Sequence, residues 1–321
     1  MEHRILVYGG LGNVASERII PSLELLRSQF SIEYAIVDLN DTGPGTYYKY
    51  DTEPILKYNT AIIATPNNTH SLIAIKALDS GLNVLCEKPL AHTIDSADQM
   101  LAASKAHPRL IAMLSDHYVY KPSVRHIIYN WKKYHQEIGP ITNIKAIVFE
   151  QELQKGRDWL FSREVAGGGI AMDTGFHIVS IMGKLFEFKN LTVTGAKITR
   201  CPQAPGDAET YACITLATHR APIHIEVGKW MGKVEKEIIF KGQGATLEAN
   251  IGSGEVLLNG KIDRPPTVDD CYPNLLKELL SSIEQQRTPW TTFEEGYKAL
   301  QIIKTAYKIA EYNYKACYTS K

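Results

Sequence analysis

The stretch Ile5-Leu6-Val7-Tyr8-Gly9-Gly10-Leu11-Gly12-Asn13-Val14-Ala15 decides the reading of this chain. A short apolar run stops at two glycines, and the residues after it, through 27, place their apolar positions at three- and four-residue spacing, as an amphipathic helix requires. Between the two, Gly10-x-Gly12-x-x-Ala15 is a Gly-x-Gly-x-x-Ala version of the dinucleotide fingerprint. The first glycine allows a tight turn, the second lets the backbone approach a pyrophosphate, and a small third residue lets helix and strand pack closely. The helix start supplies N–H groups and a positive dipole end for the anion. Gly10, Leu11, Gly12, Asn13 and Val14 are therefore candidate cofactor-binding residues. A plain glycine turn between strand and helix would use the same residues, so the surrounding pattern has to carry the assignment.

That pattern is an alternation. Residues 4–8, 34–37, 61–64, 83–86 and 110–114 read as strands, and 14–27, 71–79 and 94–106 as helices, with Gly81 as a stop signal and Asp95 as a start signal. Strands alternating with helices predict an α/β unit built on a doubly wound parallel sheet. Asp38 ends the second predicted strand, 28 residues beyond Gly10, a longer separation than the usual ~20. A carboxylate there can accept hydrogen bonds from adenosine ribose hydroxyls and repels the extra phosphate of NADP. Residues 39–42 offer no arginine or lysine to pair with one, so the sequence favours NAD over NADP. An ordinary strand-end turn aspartate is the competing account of Asp38.

Beyond residue 120 the rhythm changes. A helix through 134, a strand over 141–150 and a helix opened by Gly167-Gly168-Gly169 are followed by strands over 191–199, 210–217, 223–230, 235–240 and 245–249. Such a succession predicts an antiparallel sheet, closed by helices over 273–286 and 293–312. Two domains are expected, 1–119 for the dinucleotide and 120–321 for substrate and subunit contacts. A sheet with one face on its own helices leaves the other for a partner, which predicts a homo-oligomer.

Composition excludes several classes. The 321 residues carry 35 Lys+Arg and 35 Asp+Glu, so no net field draws in nucleic acid or acidic membranes. Apolar residues are 44% and charged ones 22%, ordinary for a globular chain, and no run approaches the ~20 apolar residues of a membrane helix. Met1-Glu2-His3-Arg4 leads straight into a strand without the apolar core of a signal peptide, which predicts a cytoplasmic protein. Five widely spaced cysteines, Cys86, Cys201, Cys213, Cys271 and Cys317, with no Cys-x-x-Cys pair, fit reduced thiols better than bridges or zinc.

Two segments follow predicted strands at the carboxyl edge, where an open parallel sheet binds its ligands: Ala64-Thr65-Pro66-Asn67-Asn68-Thr69-His70 and Cys86-Glu87-Lys88-Pro89. Thr65, Pro66, Asn68, His70 and Glu87 are candidates for the cofactor. Lys88 is a candidate for cofactor, substrate and catalysis, because an ammonium there can donate to a substrate hydroxyl and take part in proton movement. A solvated Glu-Lys surface pair is the bland alternative. Further on, Gly168-Gly169-x-x-x-Asp173-x-Gly175-x-His177 puts a carboxylate and an imidazole one helical turn apart, an arrangement suited to general acid/base work on an alcohol. A capping Asp beside a buried His, or half of a metal site, would show the same spacing. No third ligand and no His-Glu-x-x-His pattern accompany it, so no metal is expected.

The joint order of Gly10-x-Gly12-x-x-Ala15, Ala64-Thr65-Pro66-Asn67-x-x-His70, Glu87-Lys88-Pro89 and Asp173-x-Gly175-x-His177 resembles the glucose-fructose oxidoreductase/inositol dehydrogenase/MocA (Gfo/Idh/MocA) family over essentially the whole chain. Pro289-Trp290-Thr291-Thr292-Phe293-Glu294-Glu295 is similar to the turn into that family's last long helix. The resemblance implies an N-terminal Rossmann domain, a C-terminal α+β domain with an open, mainly antiparallel sheet, and NAD(P)-dependent oxidation or reduction of a sugar, cyclitol or related hydroxyl compound. It implies that Lys88 and His177 are the catalytic pair with Asp173 beside them, and that the peptide before Pro89 can be cis. Two further segments, Asp116-His117-Tyr118-x-x-Lys121 and Gly156-Arg157-Asp158-Trp159-Leu160-Phe161, are similar to parts of glucose-6-phosphate dehydrogenases. On that second resemblance His117, Lys121, Arg157 and Trp159 join Lys88, Asp173 and His177 as substrate-binding candidates, and a phosphosugar joins the substrate classes. Solvated cations and a strand-end histidine account equally for His117, Lys121 and Arg157. The expected protein is an NAD-dependent sugar or polyol dehydrogenase. The alternatives are a catalytically silent dinucleotide-binding regulator, and an epimerase or glycosidase that uses the nicotinamide transiently.

Overall fold

The computed structural model describes residues 1–39, 46–151, 158–219, 221–229 and 231–319, and the side chains among them other than those of Tyr47 and residues 312–319. It divides into two units, Met1–His117 with Tyr272–Tyr297, and Tyr118–Cys271 with Lys298–Lys321.

The first unit holds six parallel strands: β1 (Glu2–Tyr8), β2 (Ser31–Asp38), β3 (Tyr47–Lys49), β4 (Thr60–Ile63), β5 (Asn83–Glu87) and β6 (Ala112–Ser115). Their order is β3-β2-β1-β4-β5-β6, the doubly wound arrangement that reverses direction between β1 and β4. Ile5, Leu6 and Val7 in β1, Ala61, Ile62 and Ile63 in β4, and Val84, Leu85 and Cys86 in β5 are all buried. A parallel sheet covered on both faces needs such unbroken apolar runs, which is why the strands were readable. The helices are α1 (Ile20–Leu26), preceded by a π-helical turn over Ala15–Ile19, α2 (His70–Asp79), packed on β4, β5 and α3, and α3 (Ile94–Ala106). Gly81 ends the α2 turn at φ +84°. α3 starts where the sequence places it, with Asp95 in its first turn, and Thr93 caps it, its hydroxyl accepting the Ser96 N–H at 3.1 Å. Residues close to the chain's end complete this unit, since Thr291 bonds Leu114 of β6 through both its carbonyl (3.2 Å) and its hydroxyl (2.7 Å).

The second unit begins with α4 (Pro122–Tyr129) and α5 (Trp131–Ile138). Where one helix was expected, the axis breaks at Asn130, whose side-chain amide donates to the His126 carbonyl at 2.8 Å. There follow β7 (Ile141–Phe149), the short α6 (Arg163–Ala166), α7 (Phe176–Phe186), and β8 (Thr192–Thr199) to β9 (Tyr211–Ala217), β10 (Pro222–Gly228), β11 (Glu235–Gly242), β12 (Thr246–Asn250), β13 (Val256–Leu258) and β14 (Lys261–Arg264). They form an eight-stranded sheet in the order β14-β13-β12-β11-β7-β10-β9-β8, antiparallel at every pairing except β7 with β10. In β9, Ala212, Ile214 and Leu216 are buried while the alternate residues are half-buried, the two-residue period of a sheet with one core face. The stretch Arg163–Phe186 is apolar enough by composition to cross a membrane, and 83% of its most apolar window is buried inside the protein. The chain closes with α8 (Cys271–Gln285) and α9 (Phe293–Thr319).

Candidate functional site

In the first unit the candidates gather on the carboxyl ends of β1, β4 and β5. The two fingerprint glycines do different work. Gly10 is buried, and a Cβ there would lie 2.5 Å from Ile36 Cγ2, so only glycine lets the loop lie on β2. Gly12 is exposed, with the Gly9 carbonyl, 3.2 Å away, as the nearest obstacle to a Cβ. Among the described residues, Val14, which precedes the π-helical turn, makes no side-chain cap bond. Asp38 sits against this loop: its carboxylate accepts the Leu11 N–H at 3.1 Å and the Leu39 N–H at 2.7 Å. A carboxylate offers about four acceptor positions, which leaves capacity for hydroxyl donors. An exposed glycine at the start of a helix and an adjacent carboxylate fit a dinucleotide.

Thr65, Pro66 and Lys88 are half-buried and Asn68 is exposed. His70 is fully buried, with Nδ1 3.0 Å from the Pro89 carbonyl and Nε2 3.0 Å from the Thr65 carbonyl. Burial pulls its pKa below the ordinary value while the carbonyl bonds work the other way. The imidazole thus ties the loop after β4 to the one after β5, where the Lys88–Pro89 peptide is cis. Glu87 is also buried and accepts the Ser115 hydroxyl at 2.6 Å and the Tyr272 hydroxyl at 3.4 Å. His117 stacks on Tyr272, centroids 5.1 Å apart. Burial pushes the neighbouring Cys86 thiol up, which leaves it unactivated.

In the second unit the three glycines form a socket. Gly167 is left-handed at φ +80°, Gly168 has φ +159°, and a Cβ on Gly169 would lie 2.1 Å from the Glu209 carbonyl oxygen. Glu209 Oε1 accepts the N–H groups of Gly169 (2.8 Å) and Ala171 (3.2 Å) and the Tyr307 hydroxyl (2.5 Å). Lys304 donates to the Gly167 carbonyl at 2.7 Å, and burial lowers its pKa to about 8. These contacts set the start of the helix that carries Asp173 and His177. Gly169→Ala is expected to cost about 1–3 kcal/mol, read from the urea midpoint, whereas Gly195→Ala, whose Cβ would meet nothing nearer than 3.8 Å, should shift it far less.

Asp173 lies in a π-helical turn over Ala171–Gly175, a feature frequent at functional sites. Its carboxylate pairs with Lys229 at 3.4 Å in a small pocket that Phe161 and Thr210 also line. His177, 2% exposed, stacks on Tyr118 with centroids 4.1 Å apart and planes 6° from parallel. The Tyr118 hydroxyl donates to Glu150 at 3.0 Å, and Thr174 donates to the other Glu150 oxygen at 3.2 Å. Lys121 is engaged by Asp269. Trp159 is half-buried in a 3-10 turn beside the pocket-lining Leu160 and Phe161. Arg157 lies outside the described residues. Sequence reasoning missed Lys229, Glu150 and Glu209, which belong to no motif and reach the helix from strands or strand ends tens of residues away. Tyr118 stood inside a quoted segment, yet nothing local marked its ring as a partner for His177.

A six-stranded parallel sheet in this order, with an open glycine loop where the strand order reverses, defines a dinucleotide-binding Rossmann unit. The chain belongs to the Gfo/Idh/MocA oxidoreductase family: the model of its NAD-binding Rossmann fold matches residues 13–114, and that of a GFO/IDH/MocA C-terminal domain matches 135–248. Levoglucosan dehydrogenase of Pseudarthrobacter phenanthrenivorans is 32% identical over 124 residues, 37% of this chain and 30% of that protein. The matched stretch therefore spans well under two thirds of that relative's length. Among solved structures, aldose-aldose oxidoreductase from Caulobacter crescentus superposes with a TM-score of 0.83 at 19% identity, covering 98% of each chain. A 3-ketoreductase from Actinomadura kijaniata, complexed with NADP and TDP-benzene, gives 0.81 at 16% identity over 96% of this chain and 98% of that one. At these identities the likeness is one of fold.

Proposed function

We propose that the protein moves a hydride between a hydroxyl-bearing carbon of a monosaccharide or related polyol and a nicotinamide dinucleotide, with NAD preferred to NADP. The observation that carries this reading is His177, a nearly buried imidazole stacked on Tyr118, whose hydroxyl shares Glu150 with Thr174, on the helix that also holds the Lys229-paired Asp173. Burying polar groups in a core helix is costly unless they are hydrogen-bonded or paired, and here Thr174 and Asp173 are, to Glu150 and Lys229.

Gly10 to Val14 hold the pyrophosphate and Asp38 the adenosine ribose; Thr65, Pro66, Asn68, His70 and Glu87 shape the loops at the same sheet edge. The bound nicotinamide supplies the two-electron acceptor. His177 withdraws the hydroxyl proton, Asp173 favours the resulting imidazolium, and Lys88 hydrogen-bonds the reacting oxygen; the lysine and histidine roles are exchangeable. Residues 120–321 supply most substrate contacts, with Trp159 among them, and the half-buried outer face of β9 supports a homo-oligomer. The described cysteines Cys86, Cys201, Cys213 and Cys271 are free thiols, which supports a cytoplasmic setting.

The test is nicotinamide absorbance with NAD and with NADP over levoglucosan, D-glucose, D-xylose and myo-inositol. Reduction of NAD on at least one sugar is expected, and Asp38→Ala should narrow the preference for NAD by about tenfold, the effect of roughly 1.4 kcal/mol. NAD binding without exchange would point instead to a regulator, and sugar conversion without free NADH to a closed redox cycle.

A further inference from the structure

We infer that Tyr118, anchored by Glu150, is a positioning residue for His177, which rests on the reading of His177 as the proton acceptor. The stack at 4.1 Å and 6° favours one orientation of the imidazole plane, to which a turn about the Cβ–Cγ bond returns the ring only after 180°. The plane that contains both ring nitrogens is thus held parallel to the Tyr118 ring, and the lone pair that takes a proton lies in that plane. Tyr118 is itself fixed at two points: its ring is 4% exposed and its hydroxyl donates to Glu150. Glu150 then reaches back to the helix through the Thr174 hydroxyl at 3.2 Å and is flanked by Lys236 at 3.7 Å. A closed loop of contacts thus runs from the helix to Glu150, to Tyr118 and onto His177, three residues beyond Thr174. Donation to a carboxylate enriches the tyrosine ring in electrons, and an electron-rich face favours a cation lying on it, the state His177 enters when it accepts the proton.

The ring and the hydroxyl separate by substitution. Tyr118→Phe keeps the stack and loses the carboxylate bond; Tyr118→Leu and the longer Tyr118→Met lose the stack while filling the space. On the panel sugar that the parent oxidises, kcat should fall roughly 10- to 100-fold in the Leu and Met variants. KM for the sugar and the affinity for NADH should stay within about threefold, and Phe should restore kcat to within about threefold of the parent. Loss of the stack should also appear by proton NMR as a downfield move of the His177 ring signals, identified by their absence in His177→Ala. A merely structural tyrosine would lower kcat only together with thermal stability and NADH binding, and Phe would show no selective rescue. Parent kcat in both Leu and Met variants, with His177→Ala inactive, would overturn the inference alone. Parent kcat in His177→Ala would overturn the catalytic reading and this inference with it.

Discussion

Replacing His177 with alanine is expected to lower kcat by roughly 10²–10⁴-fold, the usual contribution of a positioned general base. The side chain is 2% exposed and lies on a helix whose neighbours at this level are polar: Thr174 bonded to Glu150, and Asp173 paired with Lys229. On the proposed reading, removing the imidazole takes away the group that receives the alcohol proton, while the nucleotide loop in the first unit is built from other residues. NADH affinity should therefore remain within about threefold, and KM for the sugar should move far less than kcat, the pattern of an interaction made chiefly in the transition state. Stopped-flow NADH formation, with fluorescence titration of NADH as the binding control, reads both.

The second large effect is at Lys88. It directly follows β5, whose last residue, Glu87, is fixed by Ser115 and Tyr272, and it precedes a proline whose carbonyl faces buried His70. The backbone that presents the ammonium is thus held on both sides, as electrostatic stabilisation of a developing alkoxide requires. Lys88→Met keeps most of the aliphatic stem and removes the charge; kcat should fall about 10²–10³-fold, the range for removing one such donor. Lys88→Arg should recover little, because a planar fork does not replace a compact ammonium. Equal rates for the parent and the Met variant would remove Lys88 from the mechanism.

The parallel sheet was legible because its strands are buried on both faces and so read as unbroken apolar runs. What escaped was short or peripheral: β3, the edge strand Tyr47–Lys49, mixes aromatic and charged residues over three positions, and β13 and β14 are three and four residues long. Pairing was less legible than strand identity. The parallel pairing of β7 with β10 joins segments some 80 residues apart, and periodicity carries no information about partners. The same limit hid Tyr272–Tyr297, which completes the first unit although it follows the second in sequence. At the site, the motif residues could be singled out because glycine, lysine, aspartate and histidine at those spacings suggest chemistry by themselves. Their supports could not: Glu209 and Lys229 are ordinary charged residues until the fold brings them to the socket and to Asp173.

The most direct test is single-turnover NADH formation in Lys88→Met, His177→Ala and the double variant, each saturated with NAD and the sugar the parent oxidises. Two groups serving one proton and one oxygen in the same transition state lose their effects together, so the double variant should be within about tenfold of the slower single. A parent-like rate in either single variant, or a double-variant loss equal to the full product of the two, would contradict the account.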